Sequence, residues 1–289
     1  MQVVKRNGFK QSVDFNKITE RLRKLCTEFE IKESDIDPIE VAKKVCDSIY
    51  DGIQTSQLDN LCAEIAITLA TKHPEFGRLA SLIETSNLHK STSGDFQKIT
   101  DLLTLDEILD KRYIDFVHDN INIIKEAIDY SYDYTFDYFG MKTMQKAYLF
   151  KHNNKIIERP QDMWMRVALF IHLDDIEAAL ETYNALSSKL FTHATPTLYN
   201  AGTKWPQLSS CYLVELKDDS IHGIYETLGD CAQISKWAGG IGVHIHKLRA
   251  TGADIRKNKN VCSGIVPALR VFNATSRYVN QGGKRPGSI

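Results

Sequence analysis

One cysteine stands out by its neighbours. Cys211 lies in Gln207-Leu-Ser-Ser-Cys-Tyr-Leu213, just after a loop of Thr, Pro, Asn and Gly running from Phe191 to Gly202. A thiol between small hydroxyl residues and an apolar run can sit at a pocket mouth and change redox state. Thr195, Ser209 and Ser210 offer hydroxyls there, and the loops offer backbone N–H groups, suited to ribose and diphosphate oxygens. The ordinary alternatives are an inert core thiol and hydroxyls that satisfy their own turns. To deliver two electrons a thiol needs a second one, with Cα atoms roughly 4.4–6.8 Å apart. Cys231 and Cys262 are available, but one falls in a helical pattern and the other in a loop.

Charged groups form two further constellations. Lys5 and Arg6 precede an Asn7-Gly8 turn, Lys10 follows it, and Lys17 opens the first helix, whose N-terminal amides add positive dipole. That grouping suits phosphate, although on its own it reads as a solvated cationic face. Asp218-Asp219-Ser220-Ile221, with Lys236 and Arg249, reads in isolation as a helix N-cap and two surface cations. Two other patterns carry less. Gly239-Gly-Ile-Gly242 leads from helix into strand, the reverse of a dinucleotide fingerprint. His244 and His246 share a strand face, but no third ligand is evident near them, so no metal site is expected.

Composition bounds the rest. The 289 residues are 43% hydrophobic and 25% charged, with a net charge of −1, which fits a globular protein. There is no bulk basic field for nucleic acid, no long apolar run for a membrane and no secretory signal, so the cytoplasm is expected. Six scattered cysteines without a Cys-x-x-Cys pair argue for a reducing compartment. Cys26, Cys46 and Cys62 fall in helical apolar patterns and read as small core residues.

These residues need elements to hold them. Residues 1–92 read as a hairpin over a small helical bundle. Asn16 is the expected cap of the first helix, Pro38 opens the second, Thr55 or Ser56 caps the third, and Pro74 ends it or begins a fourth. Ser91 to Lys98 is polar and reads as a linker. Residues 99–190 read as mostly helical, with the aromatic piece Tyr130–Phe139 expected in the core. From 191 to 289 strands alternate with helices: a strand over Cys211–Leu216, a helix from the Asp219-Ser220 cap to Lys236, a strand over Gly242–His246, and a helix over Gly264–Val279. The fold class is α+β, ending in largely parallel strands too few to close a barrel. The Gly-rich basic terminus suggests that more of a domain follows.

Taken together, Val-Lys-Arg-Asn-Gly, Val13-Asp-Phe-Asn-Lys17, His193-Ala-Thr-Pro-Thr-Leu198, Ser-Ser-Cys and Asp-Asp-Ser-Ile resemble the large, catalytic subunit of class I ribonucleotide reductase, in its eukaryotic and viral form. The resemblance implies an ATP-cone over 1–92, a helical domain over 99–190 and the beginning of an α/β barrel over 191–289. It implies that Lys5, Arg6, the run Gln11, Ser12, Val13, Asp14, Phe15, Asn16 and Lys17, and Thr55 and Asp59 bind ATP or dATP with Mg. Lys and Arg would neutralise phosphate, while Thr55 and Asp59 would contact the nucleoside. It implies that Thr195, Ser209 and Ser210 face a ribonucleoside diphosphate and that Cys211 is half of a redox dithiol whose partner cysteine is expected beyond Ile289. Asp219, Ser220, Ile221, Lys236 and Arg249 would form a deoxynucleoside triphosphate specificity site at a dimer interface.

Two loops bear on that specificity site. The loop after Gly252 carries Arg256, Lys257 and Lys259 where the family has small residues, and Gln281–Pro286 resembles the loop that relays effector identity to substrate. The implied reaction is thiyl-radical reduction of ribonucleoside diphosphates to deoxyribonucleotides for DNA synthesis. The radical cysteine is expected beyond Ile289, so this chain alone is expected to be inactive. The implied partners are the C-terminal half of the large subunit, a small radical-generating subunit that supplies the metal cofactor, thioredoxin or glutaredoxin, and a second copy in a homodimer. A different expectation, a non-catalytic nucleotide-sensing regulator derived from that subunit, fits the same motifs.

Overall fold

Asn7 and Gly8 turn the chain back on itself. Strand β1 (Gln2–Val4) pairs antiparallel with β2 (Lys10–Ser12), and Gly8 adopts φ +84°, a conformation glycine reaches without a Cβ penalty. Lys5 N donates to Phe9 O at 2.8 Å and Gly8 N to Lys5 O at 2.9 Å, closing the turn. The computed structural model describes residues 1–32, 34–237, 239–279 and 288–289. It divides into two compact units, Met1–Leu190 and Phe191–Ile289.

In the first unit, β3 (Ile53–Gln54) joins the other edge of β1 in parallel, giving the order β2-β1-β3. Helices α1 (Phe15–Glu28), α2 (Pro38–Ser48), α3 (Thr55–Thr68) and α4 (Pro74–Ser91) pack beside it. Their apolar residues recur at helical spacing and meet in one core, with Leu22, Val41, Val45, Ala63, Ala66, Leu79 and Ile83 fully buried. Pro38 and Pro74 each stand at the first helical position, where a missing N–H costs nothing. The caps differ from expectation. Asp14, rather than Asn16, caps α1 by accepting from Asn16 N at 3.1 Å. Gln54 precedes α3, with Gln57 reaching back to its N–H at 3.1 Å.

The same unit continues through α5 (Phe96–Leu105), α6 (Lys111–Asp119), α7 (Ile121–Ala127), a 3₁₀ run Tyr130–Thr135, α8 (Tyr138–Thr143) and a π turn Met144–Tyr148. A small hairpin of β4 (Lys151–His152) and β5 (Lys155–Ile156) leads into α9 (Pro160–Ile171) and α10 (Ile176–Ser187). Helix α9 is buried nearly all round. Its Arg166 donates from Nε to Glu158 Oε1 at 2.6 Å, a fully buried ion pair. Polar bonds tie α4 to this region: His89 with Asp133 at 2.7 Å, Lys142 with Glu84 at 3.1 Å, and Arg159 Nε donating to Thr92 Oγ1 at 2.8 Å. The stretch read as a linker is therefore no free tether, since α4 runs through Ser91 and its end is bonded to Arg159. The aromatic piece is only partly core: the Tyr134 ring packs tilted against Phe29 with centroids 4.7 Å apart, whereas Phe139 is 79% exposed.

The second unit has α11 (Thr195–Asn200), β6 (Cys211–Glu215), α12 (Ile221–Lys236), β7 (Gly240–His244) and α13 (Ile265–Val279). β6 and β7 run parallel in register from Cys211↔Gly240 to Glu215↔His244, joined by α12 as a crossover. Leu228, Cys231, Ile241 and Phe272 form the core beneath one face of this pair. The strand expected at Gly242–His246 begins two residues earlier, at Gly240. No closed barrel is present among the described residues, and the loop Gln281–Pro286 lies outside them.

Candidate functional site

The hairpin, α1, α3 and the end of α4 surround a cavity of about 540 Å³. Lys5, Arg6, Gln11, Ser12, Val13, Asp14, Lys17, Thr55 and Asp59 all line it. Of the run expected there, Phe15 and Asn16 do not: both are exposed on the first turn of α1. At its floor Asp59 is buried and ringed by cations. Arg6 Nη2 lies 3.0 Å from Asp59 Oδ2, Lys90 Nζ 3.6 Å from the same atom, and Arg21 Nη1 pairs with Oδ1.

Five cations against two carboxylates (Asp14, Asp59) leave the lining strongly positive. Burial, and secondarily Arg21 and Arg6, push the Lys90 ammonium below its ordinary pKa, against the pull of Asp59. Arg21 Nη2 is buried without a hydrogen-bond partner, so one donor waits for an acceptor. Val3, Ile18, Leu58 and Cys62 supply the apolar part of the wall. Phosphate oxygens would meet cations here while a flat base meets aliphatic surface.

Sequence reasoning missed Arg21, Lys90 and the Asn87 amide that accepts from Arg6. Arg21 was findable, since it follows Lys17 by four residues and so shares its helix face. Lys90 was not, because only the packing of α3 on α4 brings it to Asp59.

In the second unit Cys211 is exposed at the first position of β6, and its sulfur accepts from Ser210 Oγ at 3.6 Å. Ser209 is exposed, and Ser210 and Thr195 are half-buried, Thr195 opening α11. Cys231 is fully buried, and that burial pushes its thiol up to about 11, a poor nucleophile. Cys262 is half-buried, its sulfur accepting from Gly264 N at 3.3 Å.

The third constellation is only half assembled. Arg249 Nε pairs with Asp219 Oδ2, while its Nη2 donates to Asp219 O at 3.2 Å and its Nη1 to Asp254 O at 3.0 Å. Ser220 caps α12, accepting from Gly223 N at 3.0 Å. A Cβ at Gly223 would collide with the Asp218 carboxylate, so glycine lets this acidic turn fold over the helix start. Ile221 is 74% exposed. Lys236, however, sits in the last turn of α12, about 24 Å along the axis from the cap, given a 1.5 Å rise per residue over a 16-residue helix. One chain does not bring it to Asp219. The pair His244 and His246 also departs from expectation, because Glu215 stands beside them as a third ligand-type group.

Comparison with known proteins bears on all three places. The ATP cone domain matches over residues 1–91, the all-alpha domain of ribonucleotide reductase over 134–206, and its barrel domain over 209–289. The ribonucleoside-diphosphate reductase large subunit of Dictyostelium discoideum is 49% identical over 300 aligned residues, covering all of this chain and 34% of that protein. That of Vaccinia virus (strain Copenhagen) is 50% identical over 297, covering 99% and 38%. The large chain of Schizosaccharomyces pombe is 49% identical over 300, covering 100% and 37%. Together these matches give an ATP cone followed by the two ribonucleotide reductase domains. The chain belongs to the ribonucleotide reductase family, on the branch of its large subunits, and spans about a third of the length of those relatives.

Proposed function

We propose that the chain supplies the effector-binding and thiol-bearing part of a ribonucleoside-diphosphate reductase large subunit. The observation that carries this reading is the cation-lined cavity, with an unpaired Arg21 donor above a buried, triply paired Asp59. It suits ATP or dATP, whose phosphates with Mg would lie along Lys5, Arg6, Lys17 and Arg21, and whose nucleoside would lie toward Thr55 and Leu58. The residue ranges 1–92, 99–190 and 191–289 are proposed as cone, helical domain and barrel portion.

In the reaction proposed for the assembled enzyme, Thr195, Ser209 and Ser210 hold a ribonucleoside diphosphate. Cys211 and a second thiol are oxidised to a disulfide while the 2′-hydroxyl leaves as water. Thioredoxin or glutaredoxin then returns the two electrons by thiol–disulfide exchange. The hydrogen-abstracting radical would originate in the small subunit.

The separation of Lys236 from Asp219 supports a homodimer. Ile221 and Tyr225 on α12 and Val266 and Leu269 on α13 are exposed apolar residues, and a second copy packed antiparallel there would cover them. The same packing would lay its Lys236 beside Asp219 and Arg249, completing a site for a deoxynucleoside triphosphate. Calorimetric titration of the purified chain with ATP and dATP tests the cavity. Saturable binding that weakens at least tenfold in Lys17→Ala is expected, and binding indifferent to that change would overturn the assignment.

A further inference from the structure

The parallel register of β6 and β7 has a consequence at its far end. Glu215 is paired with His244 at the end of β7, and His246 follows two residues on, in the turn beyond the strand. All three are exposed. One ligand-type atom from each lies within 4.8 Å of the others, the one such triad of His, Cys, Asp or Glu among the described residues. The two imidazoles stack with centroids 3.9 Å apart and planes 21° from parallel. His246 Nε2 is 3.9 Å from Glu215 Oε1, too long for a hydrogen bond yet close to the spacing of two donors on one ion. With metal–donor lengths of about 2.0–2.2 Å, tetrahedral ligands stand about 3.4 Å apart, within reach of small side-chain rotations here.

We propose that Glu215, His244 and His246 form a binding site for a divalent transition cation of the zinc class. Two imidazoles and one carboxylate are the donor set such ions take, whereas Mg²⁺ and Ca²⁺ favour oxygen ligands throughout. The cation joins the ends of two hydrogen-bonded strands and leaves a fourth position open to water. One group competes: Lys247 Nζ lies 3.1 Å from Glu215 Oε1, so the ammonium must yield that oxygen or the metal must take the other. Cys211 begins the same strand four residues earlier, about 13 Å away at 3.3 Å per residue, so this ion and the thiol do not meet.

The test uses the 289-residue chain with Zn²⁺ in calorimetry and Co²⁺ in absorption spectroscopy. One ion per chain is expected, with a visible ligand-field spectrum of His and carboxylate donors and no thiolate charge-transfer band. His244→Ala and His246→Ala should each weaken binding at least tenfold with an unchanged circular dichroism spectrum. Lys247→Met, which removes the competitor, should tighten it several-fold. Affinity unmoved by both histidine changes, a thiolate band, or Mg²⁺ competing equally with Zn²⁺ would each overturn the proposal.

Discussion

At the scale of single residues, reactivity is set by burial and its effect on ionisation. Among the six cysteines, Cys62 is pushed up to about 12 by burial and then by the neighbouring Asp59 charge, and Cys231 to about 11, while Cys211 is exposed. Brief alkylation at pH 8 followed by peptide mass spectrometry should therefore label Cys211 first and Cys62 and Cys231 last. Earlier labelling of Cys231 would remove the basis for treating Cys211 as the accessible thiol. In the cavity, Arg21→Ala deletes the partnerless Nη2 donor together with the Nη1–Asp59 ion pair, and Arg6 and Lys90 still neutralise Asp59, so its loss should weaken nucleotide more than it weakens the fold. A charge-assisted hydrogen bond of about 1.5–3 kcal/mol corresponds to roughly a 10- to 100-fold loss of ATP affinity. Titration of that variant, beside its denaturation midpoint, checks both halves of the statement.

Legibility also divides at this scale. The hairpin was readable from Asn7-Gly8, and the cavity cations Lys5, Arg6 and Lys17 from their local clustering. The cap at Asp14 was displaced by two residues because Asp and Asn compete for that role on equal terms. Lys90 and Glu215 were invisible for one shared reason. Each becomes a neighbour only through packing or strand register, and neither leaves a local pattern.

At the scale of elements, α9 is the instructive case, since it buries charge. Glu158 accepts from Arg166 Nε at 2.6 Å and from Phe150 N at 2.9 Å, all inside the core. Arg166→Ala should cost about 3–5 kcal/mol in chemical denaturation, because it strands the Glu158 carboxylate without its counter-charge. A cost below 1 kcal/mol would mean that solvent reaches the pair.

Asp162, also on α9, is raised to about 7 by burial, against hydrogen bonds from Tyr130 and Arg159 N at 2.6 and 2.7 Å. Its folded pKa lies above the unfolded one, so between about pH 4 and 7 the folded state holds a proton that the unfolded state has lost. Stability should fall as pH rises through that window, by at most about 1.4 kcal/mol per pH unit from this group. Asp162→Asn should flatten the slope whether or not it lowers stability overall. Parallel slopes for the two proteins would show the carboxyl ionised throughout.

At the scale of the molecule, the two units differ in what holds them. The cone side of Met1–Leu190 is built on a large continuous apolar core, from Val3 through Ile83. Among the described residues of Phe191–Ile289 the core is smaller, a cluster of Leu228, Cys231, Ile241 and Phe272 with Leu198, Ala201 and Leu216 also buried, while Leu213 is 95% and Tyr278 77% exposed. Less buried apolar surface predicts a lower unfolding temperature for the second unit. The native cysteines can report on each separately, since Cys62 is buried in the first and Cys231 in the second. In pulsed alkylation across a heating ramp, Cys231 should become reactive at a lower temperature than Cys62. ATP at 100 times its Kd should add about 2.7 kcal/mol to the unit that binds it. The Cys62 midpoint should then rise while that of Cys231 stays fixed. If both midpoints coincide and move together with ATP, the units unfold as one, and nucleotide held by the cone stabilises the strand pair that carries Cys211 as well.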